Sequence, residues 1–503
     1  RQTFWIEPNG DLVLHKWPLT VLPGKDTARF KNDGNGRWFF GLEGWCVCGR
    51  FNDPAPVLAY NILRKSGDLL LEQKVFATPL MRSVLDGELA PDDTIVAMVR
   101  FRFRNAGDRP ANAELLVHYC DNSVRSRNRL TPGGAQDDRL VPHGEREKVT
   151  AADGRIVGER SGEKVLRCLY QTTMQAAQKG RGVVLSQFLD PGQICEVVLK
   201  VPYVALESGE ELAALDGLQF ERCYRDVEAF WRAEGRKGAQ IKTPEPNPNA
   251  AYAQHPAVVM ITDPAMPQDP HLIETSVGMA TYGNYCNESC MIIQELDQRG
   301  LHEEARRRLD VWVNYQGTAR LLGNFTDYDG LYYGAGGFES GASYSQHHGW
   351  VLWCLAEHYF VSGDEAWLRS VADSVLAGLR WVFRQRRITM KELPHSRGWE
   401  YGFLPAAALE DVADYFYWLS TNALTWRGVD AAARALEAIG HPEAAHMRRE
   451  ADAYRRDLIR GFETMRQHAP LVRLGDGRWV PHYPSRLYRR GRDCGWIREV
   501  LEG

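Results

Sequence analysis

The hydrophobic period changes once along this 503-residue chain, and that change constrains the fold more than any single motif. Over roughly the first 200 residues apolar side chains recur at every second position, and a helical segment then leads to the stretch KTPEPNPNA (residues 242–250). After it they recur with the 3.6-residue period of helices. Three prolines within five positions mark the junction. A chain of this length also exceeds what one ordinary core supports, so the two patterns are read as separate folding units.

The first part reads as strands. In IVAMVRFRFRN (residues 95–105) Val99, Phe101 and Phe103 fall on one face and Arg100, Arg102 and Arg104 on the other. AELLVHY follows after a short turn, and the two segments are expected to pair as a half-buried antiparallel hairpin. RGVVLSQFL and QICEVVLKVPY repeat the alternation, and GDLVLHKWPLTVLPG and GRWFFGLEGWCVCGRF open it. Many strands with no helix between them predict a large antiparallel β-sandwich. The polar stretch PGGAQDDRLVPHGEREKVTAADGR is expected to be a surface loop. A helix is predicted over Phe220–Arg236, FERCYRDVEAFWRAEGR.

The second part is built of helix pairs. NYCNESCMIIQELDQRG leads directly into LHEEARRRLDVWVNYQG. YSQHHGWVLWCLAEHYFVSG leads into DEAWLRSVADSVLAGLRWVFRQ. YFYWLSTNALTWRGVDAAARALEAIG leads into HPEAAHMRREADAYRRDLIRGF. In each pair the first helix is nearly apolar and the second carries a charged face, with a short connector around Gly. A buried inner helix followed by an amphipathic outer one, repeated, predicts a toroid of α-hairpins. The expected division is a β-sandwich over residues 1–219, a linker helix with a Pro-rich tail over 220–246, and a helical domain over 247–503. Some seven or eight helices are readable after residue 244, so a toroid here is either incomplete or holds helices that this count does not reach.

The formal net charge is −4, which gives no electrostatic reason to expect nucleic acid or an anionic membrane as partner. No run of 18 apolar residues predicts a membrane span. Ten cysteines are spread too thinly for a disulfide scaffold, and none has zinc-pair spacing. Buried thiols in a reducing, cytoplasmic setting are the expectation, with no metal and no cofactor. Cys286 and Cys290 share one helix face and read as core thiols. Tryptophan is asymmetric: four of the 15 precede residue 231 and eleven lie at or after it. Long aromatic loops join the helix pairs, as in LLGNFTDYDGLYYGAGGFESGAS. Flat rings beside acids and amides suit a sugar face, with apolar C–H surface on one side and hydroxyls at the rim.

These motifs resemble the six-hairpin glycosidase superfamily, which includes glucoamylases, inverting disaccharide phosphorylases, trehalases and α-L-rhamnosidases. YGNYCNESCMIIQELDQRGLHEEARRRLDVW resembles the hairpin that brings a substrate-binding acid to the barrel mouth. The acid often follows an arginine in relatives, where this chain has Asn287-Glu288. QHHGWVLWCLAEHYFVSGDEAWL resembles the next hairpin, and DYFYWLSTNALTWRGVDAAARAL the hairpin after the catalytic acid. In the disaccharide phosphorylases an acid-Tyr pair lies nine residues before the alanine of an Asn-Ala pair. Asp414-Tyr415 and Asn422-Ala423 keep that spacing. The resemblance implies a β-sandwich, or supersandwich, joined to an (α/α)6 barrel, with an oligo- or polysaccharide substrate. In many relatives the general base comes from the last hairpins, so if the 503 residues are part of a longer chain the resemblance implies a base beyond Gly503.

Glycoside hydrolysis needs one protonated carboxyl and one ionised carboxylate, roughly 6.5–9.5 Å apart for inversion and about 5–5.5 Å for retention. WEYGFLPAAALEDVADYFYW (residues 399–418) sets Glu400, Glu410 and Asp414 among aromatic rings, and these three are the catalytic candidates. Asp414 has the spacing, although an Asp there also suits a helix N-cap. Glu410 also fits a capping role. Glu400 stands between Trp399 and Tyr401 in a Gly- and Pro-bounded loop. Asn287, Glu288, Tyr332, His347, His348, Trp350 and Trp399 are the candidates for substrate binding. The dipole at a helix start accounts equally well for Glu288, and packing for the two histidines. Asp327 and Asp329 in FTDYDG fit either hydroxyl binding or an Asx-turn. The leading expectation is an inverting, exo-acting glycoside hydrolase. A phosphorolytic enzyme of the same fold, a polysaccharide lyase on an α-toroid and a non-catalytic glycan-binding protein stay open beside it.

Overall fold

The computed structural model describes residues 2–15, 36–87, 89–90, 93–121, 123–125, 140–142, 147–263, 265–266, 269–276, 284–333, 344–409 and 412–488. Contacts divide the chain into two compact units. One is Arg1–Ile261 with Pro267–Pro270, and the other is Thr262–Met266 with His271–Gly503.

The first unit holds two antiparallel sheets. One runs β1 (Thr3–Ile6), β2 (Leu12–His15), β3 (Gly36–Phe39), β8 (Ala111–Cys120), β15 (Gly182–Leu189) and β14 (Gln175–Lys179). The other runs β11 (Lys148–Ala152), β12 (Arg155–Arg160), β13 (Glu163–Thr172), β16 (Ile194–Pro202), β7 (Ile95–Asn105), β6 (Leu69–Pro79), β5 (Tyr60–Ser66) and β4 (Cys46–Asn52). A short pair, β9 (Ser123–Arg125) and β10 (Leu140–Pro142), stands apart. Both sheets feed one core, in which Val99, Phe101 and Phe103 of β7 meet Ala113, Leu115 and Val117 of β8.

That core corrects one expectation. β7 and β8 do not pair as a hairpin. β7 lies between β6 and β16, and β8 lies between β3 and β15. Alternation tells which side chains are buried and not which strand is the neighbour. Here the two apolar faces look at each other across the core. The crossover is organised by buried Asn105, whose amide donates to the carbonyls of Arg109 (2.6 Å) and Leu189 (2.8 Å) and accepts from the Gly107 N–H (3.0 Å). The expected surface loop is corrected at its end too. Residues 148–152 form β11, which pairs with β12 through a turn at Asp153 (φ 49°) and Gly154 (φ 75°). Asp-Gly flanked by alternating residues is a hairpin signal.

Helices α1 (Gly209–Gly217) and α2 (Phe220–Glu234) cover the outer face of the larger sheet. A capping box starts α1: Ser208 accepts from the Glu211 N–H, and the Glu211 carboxylate accepts from the Ser208 N–H. Phe220, Cys223 and Val227 of α2 pack on Phe76, Val96 and Met98, so this helix belongs to the sheet unit rather than acting as a linker. It also explains why the first half of β7 is buried on both faces while Arg102 and Arg104 are exposed. Helix α3 (Pro246–Thr262) carries the chain to the unit boundary.

The second unit holds three helical hairpins among the described residues. They are α4 (Cys286–Gln298) with α5 (His302–Asn314), α6 (His347–Ser362) with α7 (Glu365–Thr389), and α8 (Leu419–Ala438) with α9 (Ala444–His468). A glycine in the left-handed region ends each first helix: Gly300 (φ 77°), Gly363 (φ 72°) and Gly440 (φ 66°). Helix α6 packs between α4 and α8. Its approach to α8 is close because Gly349 and Gly428 face each other. A Cβ on Gly349 would lie 2.5 Å from the Thr425 Cα. The outer helices are amphipathic. Buried Trp367, Leu368, Val371, Val375 and Leu379 of α7 follow helical spacing. Three short hairpins complete the unit: β17 (Glu392–Leu393) with β18 (Ser396–Arg397), β19 (Ala407–Leu409) with β20 (Val412–Phe416), and β21 (Leu471–Arg473) with β22 (Trp479–Pro481).

Candidate active site

The segments leading into α6 and α8, and the one after α9, are knitted together at the N-terminal ends of α6 and α8. Strand β19 is the centre. The Ala408 N–H donates to the Leu322 carbonyl (3.1 Å), and the Asn324 N–H to the Ala406 carbonyl (2.9 Å). The Ser345 N–H reaches the Ala408 carbonyl (3.4 Å). Trp418 Nε1 donates to the Ala407 carbonyl (2.8 Å), and Ser345 and Thr421 share a hydroxyl bond of 2.7 Å. The segment after α9 joins through the Leu419 N–H to the Ser485 carbonyl (2.7 Å) and the Leu487 N–H to the Tyr417 carbonyl (3.0 Å).

The loop carrying Trp399 and Glu400 is anchored from below by buried Arg386 of α7. Its Nε donates to the Gly402 carbonyl (2.7 Å) and its Nη2 to Asp457 (2.8 Å). Its guanidinium lies 4.3 Å from the centre of the Tyr454 ring. Asn422 holds the far end of the loop. Its Oδ1 accepts from the Leu404 N–H and the Tyr454 hydroxyl, each at 2.9 Å, and its amide donates to the Trp418 carbonyl (2.8 Å). Burial raises the Asp457 carboxyl above its ordinary value, with Arg386 and Arg460 opposing that shift.

Above this anchor, half-buried Glu400 accepts a hydrogen bond from the Tyr488 hydroxyl. The Tyr488 ring is stacked on Trp399, with centroids 4.9 Å apart and planes 5° from parallel. The Trp399 N–H also donates to the Tyr488 oxygen (3.2 Å). Burial, and then the hydrogen bond to Glu400, pushes the Tyr488 phenol up to about 12. The half-buried Tyr417 phenol is raised as well, by burial and then by the Glu400 charge, and its ring lies 6.4 Å from that of Tyr488.

Asp414 lies on strand β20, not at a helix start. It is exposed and makes no hydrogen bond or ion pair among the described residues. Helix α8 begins only at Leu419, with Trp418 as its N-cap residue. Glu410 lies outside the described residues. Glu288 is exposed in the first turn of α4. Its neighbour Asn287 has a buried Oδ1 with no hydrogen-bond partner among the described residues. Trp350 of α6 stacks on Trp353 at 5.0 Å, and its indole N–H is likewise buried without a partner there.

The adjacent histidines part company, since successive helix positions point about 100° apart. His347 is buried in a ring stack, 4.7 Å from Tyr344 and 5.4 Å from Tyr333, and Tyr344 in turn meets Tyr285 just before α4. His348 turns toward α7. Its Nδ1 accepts from the Tyr332 N–H (3.0 Å) and its Nε2 donates to the Gly378 carbonyl (3.1 Å). Burial lowers its pKa to about 3, so it is a neutral packing residue with both nitrogens occupied. Tyr332 is fully buried, with its hydroxyl on Ser374 (2.7 Å). Neither polar group of this pair is open to a ligand, which corrects the expectation for His348 and Tyr332. Asp327 binds Arg384 (2.8 Å) and Gln385 (3.0 Å) and accepts from the Asp329 N–H (3.2 Å), which is the Asx-turn reading. Cys286 and Cys290 are fully buried. No group of three or more His, Cys, Asp or Glu side chains among the described residues is arranged to hold a metal. No described helix is long and apolar enough to cross a membrane.

The contact of Tyr488 with Glu400 is the feature that sequence reasoning missed. Tyr488 stands in RLYRRGRDCGW, where the arginines dominate the reading, and 88 positions separate it from its partner.

No protein-family model matches the chain, and no curated protein is significantly similar to it. Solved structures do resemble it. A bacterial glucoamylase complexed with acarbose aligns with TM-score 0.50 and 11% identity over 91% of this chain and 66% of its own. The chain thus spans about two thirds of that enzyme's length. A rhamnosidase from Klebsiella oxytoca with rhamnose bound aligns with TM-score 0.33 and 10% identity, over 91% of this chain and 75% of its own. The GH92-family glycosyl hydrolase ccman5 aligns with TM-score 0.29 and 13% identity, over 86% and 51%. The glucoamylase likeness shows a related fold.

Proposed function

We propose that the chain is a carbohydrate-active enzyme of the six-hairpin type, and that it is an inverting, exo-acting glycoside hydrolase. The observation that carries this reading is Glu400. It is a carboxyl set beside Trp399 in an aromatic wall, on rigid loops at the N-terminal ends of apolar helices. Such a wall excludes water from one side of a sugar ring while the carboxylate accepts a hydroxyl at its rim. The shared fold with a glucoamylase supports it.

In this reading Asp414 is the proton donor to the leaving oxygen, and Glu400 accepts a sugar hydroxyl or the proton of water. Inversion requires the two carboxyls to stand roughly 6.5–9.5 Å apart, and a sugar-bound structure measures that separation for Asp414 and Glu400. The proposed toroid includes the three helical hairpins described above. Asn287, Glu288, Trp350 and His347 are proposed to line its mouth.

The test is release of reducing sugar from a panel of aryl glycosides and oligosaccharides, with and without phosphate. Asp414→Asn is expected to lower kcat by 10²-fold or more, the scale of a lost general acid. Glu400→Gln is expected to raise KM as well. Full activity in both variants would remove the assignment, and a strict phosphate requirement would convert it to a phosphorolytic one.

A further inference from the structure

Tyr488 meets the Trp399–Glu400 pair in the way a sugar would. Its flat ring lies on the indole at 4.9 Å, nearly parallel, and its hydroxyl donates to the Glu400 carboxylate at the rim. His468 packs against the same indole at 5.1 Å, tilted by 35°. The chain just before Tyr488 is pinned by the Leu487 N–H to the Tyr417 carbonyl. Tyr488 itself sits at φ +65°, a left-handed backbone conformation that is unusual for a bulky side chain. It is half exposed despite the stack.

We propose that Trp399 and Glu400 form a subsite for one neutral pyranose ring, and that Tyr488 occupies this subsite until a saccharide displaces it. This rests on the carbohydrate reading above. A ring stacked on the indole and a hydroxyl on the carboxylate are the two contacts a pyranose makes with such a pair, so tyrosine and sugar compete for the same atoms. A left-handed tyrosine carries backbone strain, which moving aside would release. The Glu400 charge disfavours a uronate, and the proposal takes a neutral sugar as the ligand class.

Competition has a signature that a merely structural role lacks: removing Tyr488 tightens binding. If about four fifths of molecules hold Tyr488 in place, the apparent Kd is about fivefold weaker than that of the open subsite. Calorimetric titrations with gluco-, manno- and galacto-configured neutral trisaccharides would be run on the wild-type chain, Tyr488→Ala and Tyr488→Phe. A trigalacturonate serves as the acidic control, and melting curves verify that each variant is folded. The expected result is a Kd about fivefold lower in Tyr488→Ala and about twofold lower in Tyr488→Phe, with no trigalacturonate binding. The Phe variant keeps the ring and so remains informative if the Ala variant does not fold. A neutral sugar that binds the wild type but binds the variants equally or more weakly overturns the competition and leaves the carbohydrate reading intact. Trisaccharides that bind none of the proteins overturn both.

Discussion

Replacing Arg386 by Met tests the architecture beneath the site. The methionine retains most of the apolar stem, so the loss is confined to the guanidinium. Two hydrogen bonds disappear, to the Gly402 carbonyl and to Asp457, together with the contact over the Tyr454 ring. Asp457 is left with its carboxylate partly buried and its ion-pair partner gone, and the Gly402 carbonyl loses its donor. Breaking a buried pair costs about 3–5 kcal/mol, most of it from the charge left behind. At about 4 kcal/mol, and roughly 2–4 °C per kcal/mol for a unit of this size, the melting transition of the helical unit should fall by roughly 10 °C. Scanning calorimetry measures it. Asp457→Asn supplies the second arm of a double-mutant cycle, because the amide needs no cation. The two changes together should cost at least about 1 kcal/mol less than the sum of the singles. A fall of less than 2 °C for Arg386→Met, or strict additivity in the cycle, would refute the claim that this arginine anchors the Trp399–Glu400 loop.

Other consequences follow from the packing of α6. His348 is held neutral with a pKa of about 3, below the roughly 6.5 of an unfolded chain. The unfolded state therefore binds more protons between those values, and stability falls as pH drops through that window, by about 1.4 kcal/mol per unit. In His348→Gln the stability profile measured by denaturant titration should be flatter by that slope between pH 6 and pH 4. Gly349→Ala drives a methyl to 2.5 Å from the Thr425 Cα. Overpacking against backbone costs about 1–3 kcal/mol, and the better helix propensity of Ala returns about 1. A net loss of up to about 2 kcal/mol is expected, visible as a lower denaturation midpoint, and a gain in stability would contradict the close α6–α8 approach.

The sequence shows some of this plainly. Residues 99–104 alternate strictly, and the strand over 95–105 is legible from them and from the apolar run that precedes them. The three helical hairpins are legible because a glycine closes each inner helix and the outer helices keep a charged face. Partnership between strands is not legible. Val99 and Ala113 alternate alike whether their strands pair side by side or face each other across a core. The start of α8 is also misread from sequence, because DYFYW combines a capping Asp with residues that suit a strand equally well, and the structure uses Asp414, Tyr415 and Phe416 as the end of β20. In the site, the aromatic and acidic content of residues 399–418 is visible, whereas the partners are not. Adjacent histidines look alike in sequence, yet one enters a stack of tyrosines and the other is locked between α6 and α7. The Tyr488–Glu400 contact has no local pattern at all, since it depends on how the chain after α9 returns to the loop face.

The central claim is that this loop face holds carbohydrate, and a crystal structure of the chain soaked with a neutral oligosaccharide tests it most directly. The expected density is a pyranose ring stacked on Trp399, with a hydroxyl about 3 Å from a Glu400 oxygen and the Tyr488 ring moved aside. Saccharide bound only away from Trp399 and Glu400, or none bound at a concentration that saturates calorimetric titration, would contradict it.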